Sequence, residues 1–363
     1  LFHTGVAFRA IAAVDRLIAR VPGRLSVVSI AGGTVFSSLS GSTIANTAIL
    51  GSVLLPDMMK RGYQPTIAMG PIMATGGIAM LIPPSALAVL LASLAEQSIA
   101  KLLIAGIVPG ILMAILFVAY VVGRCSLNPA LAPAYKVEEM TTAERWMPFV
   151  KYVLPLFSIF VVVVGSIFFK WAAPTEAAAL GCIAAAVACA CYRALTWAAL
   201  KKALLETAKI NTMIMIIIAG SLTFSQVLAV SGSVDGLLSQ ITALNLTPFL
   251  AIIVMMLVLL FLGAFMDQVS MLLLTLPFFM PFAATQGIDT LWLMVLMLIV
   301  MEISLLTPPF GLLLFVMKGV APFKTSLMQI YAAALPFVCI ELFVLALLIL
   351  FPSVALWLPS FIK

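Results

Sequence analysis

Residues 36–63 read FSSLSGSTIANTAILGSVLLPDMMKRGY, and the apolar stretch that follows is interrupted at residues 81–85, LIPPS. The landmarks recur once: Pro56, Gly62, Pro83 and Pro84 return as Pro281, Gly287, Pro308 and Pro309, each 225 residues later and without a gap. The second copy reads GAFMDQVSMLLLTLPFFMPFAATQGI over residues 263–288, followed by a stretch interrupted at SLLTPPFG. Each copy has an apolar approach, a polar tip, an apolar return, a turn and a Pro-Pro break. This is an internal repeat of one supersecondary unit.

Composition decides what the repeat is embedded in. With 64% hydrophobic and 9% charged residues, the chain falls far short of a soluble globule, in which about a quarter of residues are charged. Apolar runs near the roughly 20 residues that span a bilayer recur between short polar connections, whereas a membrane β-barrel shows alternating segments of about ten. The chain therefore reads as an all-α polytopic protein of the lipid bilayer. A net charge of +6 raises the question of an anionic partner. The basic residues lie in loops beside apolar spans and not in a patch interleaved with aromatics, so nucleic acid is not expected.

Cys125, Cys182, Cys189, Cys191 and Cys339 lack metal-type spacing and mostly lie inside apolar runs, as structural thiols do. The single histidine, His3, stands at the start, and no G-x-S-x-G or H-E-x-x-H occurs. A hydrolase would have no evident base, so the chain is not read as an enzyme.

The chain begins without Met inside an amphipathic segment, which implies that something precedes it. Residues 5–20 suit a helix at the membrane surface, ended by Pro22-Gly23. Residues 25–39 and 43–60 are each shorter than a comfortable span, and a Ser-Gly-Ser tip facing lipid would be costly, so they predict a re-entrant helical hairpin. Residues 65–94 predict two half-helices joined by unwound backbone at Pro83-Pro84. Residues 99–123 make an ordinary span, with Gly106 and Gly110 on a close-packing face. After the polar connection come spans at 146–169 and 175–192, turned at Lys170-Trp171. An amphipathic stretch 196–209 leads to a span over 210–229. Residues 233–245 mirror the first amphipathic helix, 248–263 with 268–284 make the second hairpin, 290–318 the second broken helix, and 327–351 the last span.

Following this path, nearly all basic residues fall on one side, including Arg24, Lys60, Arg61, Arg124, Arg145, Lys201, Lys202 and Lys209. Lys101, Lys170 and Lys363 fall on the other. The first side is then cytoplasmic. The first hairpin has its base on that side and the second its base on the periplasmic side, near Asn245 and Asp289, so the repeat is expected to be inverted.

A proline inside a helix cannot donate to the carbonyl four residues back. Pro83 and Pro84 should free the carbonyls of Ala79 and Met80, and Pro308 and Pro309 those of Ser304 and Leu305. Such oxygens, with hydroxyls at the neighbouring tip, suit a hard cation such as Na+. Ser40, Ser42 and Thr43 supply the first tip; the second has Phe265, Asp267 and Gln268, with Thr307 replacing Ile82 at the break. Simple kinks and a helix-packing surface are the plain alternatives. Half-helix N-termini at Thr43 and Ser85 favour an anionic substrate such as a carboxylate. Asp267, Glu302 and Glu341 lie in or near apolar stretches. They read either as a proton relay or as structural groups, Asp267 capping a helix or coordinating a cation and the glutamates making interhelical hydrogen bonds.

SGSTIANTAILGSVLLPDMMKRGY, IPPSALAVLL with KLLIAGIVPG, the second hairpin and LLTPPFGLLLFVMKGVA together resemble the large membrane subunit, DctM-like or M, of TRAP (tripartite ATP-independent periplasmic) transporters. The resemblance covers nearly the whole chain. It implies an elevator-type secondary transporter of the ion transporter superfamily kind in the bacterial inner membrane. It also implies Na+ as coupling ion, no further cofactor, a small membrane subunit (Q) and a periplasmic substrate-binding protein (P) that delivers an organic acid. Carried over by position, the first Na+ site uses Ser40, Ser42, Ala79, Ile82 and Pro84, and the second Asp267, Ser304, Thr307 and Pro309. Substrate is expected near Ser42, Thr43, Asn46, Ser85, Asp267 and Thr307. The family usually has Gly where Ala79 and Ser304 stand, and about two further spans ahead of the first hairpin.

The expected organisation is an interfacial helix (1–22), a first transport repeat (23–123), a cytoplasmic connection (124–145), scaffold spans and arm helices (146–245) and a second transport repeat (246–363). A stand-alone Na+- or H+-coupled carboxylate carrier is the alternative within transport; an ion channel or a membrane scaffold stands in another class. Sialic acid, C4-dicarboxylates and other acids are all open as substrates.

Overall fold

The computed structural model describes residues 6–18, 21–133, 141–232, 236, 246–322 and 325–361, and their side chains except those of 6–8, 37–40, 221, 225, 228 and 229. The described residues contain helices and turns and no strand. In order these are α1 (Val6–Leu17), α2 (Arg24–Ser40), α3 (Thr43–Lys60), α4 (Pro65–Ile78), α5 (Ala86–Leu94), α6 (Ile99–Ala105), α7 (Ile107–Leu127) and α8 (Thr142–Pro148). They continue as α9 (Leu154–Phe168), α10 (Pro174–Cys191), α11 (Trp197–Val230), α12 (Pro248–Gly263), α13 (Gln268–Thr285), α14 (Thr290–Leu306), α15 (Leu312–Val320), α16 (Leu327–Leu350) and α17 (Ser353–Leu356).

The repeat is visible in the helix boundaries. α3 and α13 begin and end 225 residues apart at both ends. Their N-caps are Ser42 and Asp267, and the broken helices start behind the N-cap positions Gln64 and Asp289, pairs with the same offset. Gly62 and Gly287 close the equivalent turns with φ of 81° and 64°, a region that costs an L side chain dearly. Pro83-Pro84 and Pro308-Pro309 both interrupt their helices as cis peptides.

The core lies where the broken helices cross. From Ile67 through Ile78, α4 is buried on every side, and α14 is buried from Leu293 to Leu306. An apolar helix without a wet face belongs in the middle of a bundle. α4 packs on α2, α3 and α16; α14 packs on α12 and α16; and α3 packs on α15, so the repeats interlock. Small residues set the closest approaches. A Cβ on Gly70 would lie 2.5 Å from the Ala333 carbonyl oxygen of α16, and one on Gly51 would lie 2.6 Å from Val320 of α15.

Six helical stretches among the described residues are long and apolar enough to cross a membrane: 99–127, 142–168, 174–191, 197–224, 268–285 and 327–350. α9 and α10 pair at the periphery, and α11 runs with most of its described side chains exposed, touching α13. The amphipathic stretch and span expected at 196–209 and 210–229 are one continuous 34-residue helix. No Pro or Gly falls at their junction to stop it.

α1 is tied down at the base of the first hairpin. Arg24 grips Asp15 with two contacts of 2.7 Å and donates to the Asp15 carbonyl, while Arg145 donates to the Leu17 carbonyl at 2.6 Å. Apart from residue 236, the expected arm helix over 233–245 lies outside the described residues, as does the Ser40 side chain.

Candidate functional site

Each tip touches its own break. In the first repeat Gly41 turns the chain with φ of 58° between α2 and α3, and a Cβ on it would stand 3.0 Å from the Pro84 carbonyl oxygen. Ser42 caps α3 by accepting from the Ala45 N–H at 3.3 Å, and Ser85 caps α5 by accepting from Ala88 at 3.2 Å. Ala79, Ile82 and Ser85 are buried and Pro84 partly so. Thus the backbone turn at 41, next to the Ser42 cap, lies against the first break, which the Ser85 cap follows.

In the second repeat a Cβ on Gly263, at the end of α12, would fall 1.9 Å from Ser304 Oγ, so that glycine makes the room which the serine occupies. Ser304 Oγ donates to Val300 O at 2.7 Å and Thr307 Oγ1 to Ile303 O at 2.8 Å. A hydroxyl that donates keeps lone pairs for a cation. Phe265 at the tip meets Phe310 at the break with ring centroids 6.3 Å apart. Contrary to the expectation of a freed carbonyl, Ser304 O accepts from the Thr307 N–H at 3.3 Å. The last turn of α14 has tightened, and the backbone there is partly satisfied.

Asp267 is exposed and caps α13: it accepts from the N–H groups of Val269 and Ser270 at 3.0 and 3.1 Å and from the Ser270 hydroxyl. Gln268 Nε2 reaches Met301 O at 3.5 Å and Met80 Sδ at 3.7 Å, linking the second tip to both broken helices. Its equivalent Thr43 likewise packs its carbonyl on α4, 3.2 Å from where a Cβ on Gly76 would lie.

Asn46, expected near substrate, is fully buried and donates to Gly33 O at 3.3 Å and Thr75 O at 3.2 Å. It pins α3 to α2 and α4. The glycines that admit the tips, Gly41 and Gly263, were missed as site residues; the signal was their place at the ends of short apolar runs.

A cavity of about 480 Å³ opens between the first tip, α5 and α11, lined by Gly41, Pro84, Ser85, Ala86, Val89, Leu90, Ser93, Ile214, Met215 and Ile218. Of the expected substrate residues, Ser85 lines it and Ser42 follows the lining residue Gly41. Hydroxyls and the first turn of α5 face it from one side, and aliphatic side chains of α11 from the other; none of the lining residues is charged.

A repeated hairpin and broken helix in an all-helical, multi-span chain is the architecture of a membrane transporter. The fold resembles that of the YdaH transporter of Alcanivorax borkumensis, with a TM-score of 0.57 at 16% identity over 97% of this chain and 83% of that one. The family model for the DctM component of tripartite ATP-independent periplasmic transporters matches residues 1–354, and the chain belongs to that family. It is 34% identical over 361 residues to the C4-dicarboxylate TRAP transporter large permease protein DctM of Pseudomonas aeruginosa, covering 99% of this chain and 82% of the relative. It is 31% identical to the 2,3-diketo-L-gulonate large permease YiaN of Escherichia coli, over 88% and 74% of the two chains. It is 29% identical to the sialic acid large permease SiaM of Vibrio cholerae, over 98% and 82%. The protein is therefore a multi-pass transport component and not an enzyme.

Proposed function

We propose that this chain is the large membrane subunit of a Na+-coupled importer in the bacterial inner membrane, taking up an organic acid handed over by a periplasmic binding protein and working beside a small membrane subunit. The observation that carries the reading is that each tip lies against its own break: Gly41 on Pro84, and Gly263 and Phe265 on Ser304 and Phe310. A cation at either place would meet hydroxyl and carbonyl oxygens from both partners and hold the tip shut. The first site would draw on Ser40, Ser42, Ala79, Ile82 and Pro84, the second on Ser304, Thr307 and Pro309, with Asp267 serving by its cap.

The substrate carboxylate would enter the cavity beside Ser85 and the first turn of α5, where backbone N–H groups favour an anion. Thr43 and Thr307 would complete the substrate region, and Asn46 would serve it by pinning α3 to α2 and α4. With the tips ordered, the hairpins and broken helices would move as a unit past α9, α10 and α11 in an elevator cycle. The hairpin bases would then lie on opposite faces, the first cytoplasmic.

The test is uptake of a labelled panel of C4-dicarboxylates, sialic acid and keto acids into proteoliposomes that hold the whole transporter, with and without binding protein and an inward Na+ gradient. Uptake that needs both supports the proposal. Uptake driven by Na+ or H+ without the binding protein supports a stand-alone carrier, and sustained currents beyond carrier rates support a channel.

A further inference from the structure

Gly77 and Glu302 stand 225 residues apart, so they are equivalent positions of the two repeats, and they touch. A Cβ on Gly77 would lie 2.5 Å from Glu302 Cγ and 2.7 Å from its Oε1. The missing side chain on α4 is the space that holds the carboxyl of α14. This contact marks the seam where the repeats meet, between the two breaks. On α16, Glu341 lies close enough to Glu302 for the two carboxyls to interact electrostatically.

Both residues are completely buried, and none of their four carboxyl oxygens has a hydrogen-bond partner among the described residues. The only charge either carboxyl meets among the described residues is the other. Buried carboxyls are normally hydrogen-bonded or paired, because stripping a carboxylate of water without a partner costs many kcal/mol. Two such groups on neighbouring buried helices stay uncharged unless a counter-charge joins them. Interhelical hydrogen bonds to the protein, one of the roles the sequence suggested for these glutamates, are not what the described residues provide.

We infer that Glu302 and Glu341 hold a hard cation at the seam between the repeats, a site separate from those at the two tips. Oxygen donors on two rigid helices select alkali or alkaline-earth ions. Carboxylate oxygens suit such ions, whereas transition-metal centres favour imidazole and thiolate ligands. The ion would join α14 to α16 with α4 packed over it, so that both broken helices share one charge-balanced centre. This inference does not rest on Na+ binding at the tips.

The test counts ions on the purified whole protein with radiolabelled Na+ and, separately, radiolabelled Ca2+, in the wild type and in Glu302→Gln and Glu341→Gln, which keep the side-chain volume. Each variant is expected to lose one bound ion per protein, of Na+ or of Ca2+, that Ser42→Ala and Thr307→Ala retain. Loss confined to the tip variants would support the tip sites and overturn this one, and loss confined to the glutamine variants would do the reverse. Should the variants fail to fold, Tl+ and Mn2+ soaked into the wild type give anomalous scattering. A peak between the two carboxyls supports the site. Unchanged ion counts in both variants, or an empty seam in both soaks, would mean that the carboxyls stay neutral and overturn it.

Discussion

The two breaks occupy equivalent positions and are braced by opposite means. Behind the first, Gly106 brings the backbone of α6 and α7 against Leu81, where a Cβ would sit 2.4 Å from the Leu81 carbonyl oxygen. Behind the second, the equivalent position is Tyr331, whose hydroxyl reaches out to Pro309 O at 3.4 Å. The same contrast holds at the tips: Gly41 lies on backbone, while Gly263 accepts the Ser304 side chain. At these paired positions the first repeat uses close backbone approach and the second uses side chains. The first should therefore tolerate almost no change in volume, and the second should tolerate changes that can be compensated.

The sharpest way to break this contrast is Gly106→Ala beside Tyr331→Phe. The alanine methyl meets backbone that has no rotamer to give, so it should destabilise by about 3 kcal/mol or more. The phenylalanine loses one long hydrogen bond, worth about 1 kcal/mol at most. Thermal unfolding of the purified protein in detergent reads both. Equal losses would show that the two breaks are braced alike.

Next in size is Gly263→Ala. Its methyl would collide with Ser304 Oγ, which Val300 O holds in place, and overpacking of this kind costs about 1–3 kcal/mol. Ser304→Gly in the same chain removes the obstacle and should restore most of the loss, giving a coupling energy of about 1 kcal/mol or more in a double-mutant cycle. Additive losses would mean that the serine does not need its glycine.

At the proposed ion sites, Thr307→Ala should weaken the Na+ dependence of uptake more than Ser42→Ala does. Thr307 Oγ1 donates to Ile303 O and keeps its lone pairs for an ion, whereas Ser42 Oγ already accepts from the Ala45 N–H. We expect about a tenfold rise in the Na+ concentration for half-maximal uptake for Thr307→Ala, equivalent to about 1.4 kcal/mol. Ser42→Ala should raise it about threefold and also lose about 1 kcal/mol of helix capping, seen in unfolding. The reverse order would place the stronger ion site in the first repeat.

What the sequence disclosed follows from where its signals are local. Hydropathy, proline and glycine punctuate the chain, and they located the spans, both hairpins and both breaks, with α3 and α13 ending on the expected residues or one beyond. The junction at residues 209–210 carried a change of polarity but no breaker, so α11 ran on through it. Site residues were harder because a polar residue next to a tip looks the same whichever way it faces. Asn46 stands one turn beyond the Ser-rich tip and faces inward, where it satisfies carbonyls of two other helices. Asp267 read from the sequence as a cap or a cation ligand, and its oxygens are seen on the cap. The pairings of Gly77 with Glu302 and Gly263 with Ser304 join residues 225 and 41 positions apart, and no local pattern announces them.

The smallest effect separates a cap from a ligand at the second tip. Asp267→Asn keeps an oxygen that can accept from Val269 and Ser270 N–H groups, since asparagine caps helices about as well as aspartate. It loses the acceptor for the Ser270 hydroxyl, which can turn to accept from the new amide instead, and the favourable meeting of a negative charge with the start of α13, worth about 0.3–1 kcal/mol and screened by salt because the residue is exposed. Unfolding should therefore shift slightly, and less at high salt, while the Na+ dependence of uptake stays within about twofold of wild type. A tenfold loss of apparent Na+ affinity at unchanged stability would require the carboxylate to touch the ion, its cap bonds giving way when the ion arrives. The second site would then be the charged one, held by Asp267 with Thr307, and the first, with Ser42 at the same position, the neutral one.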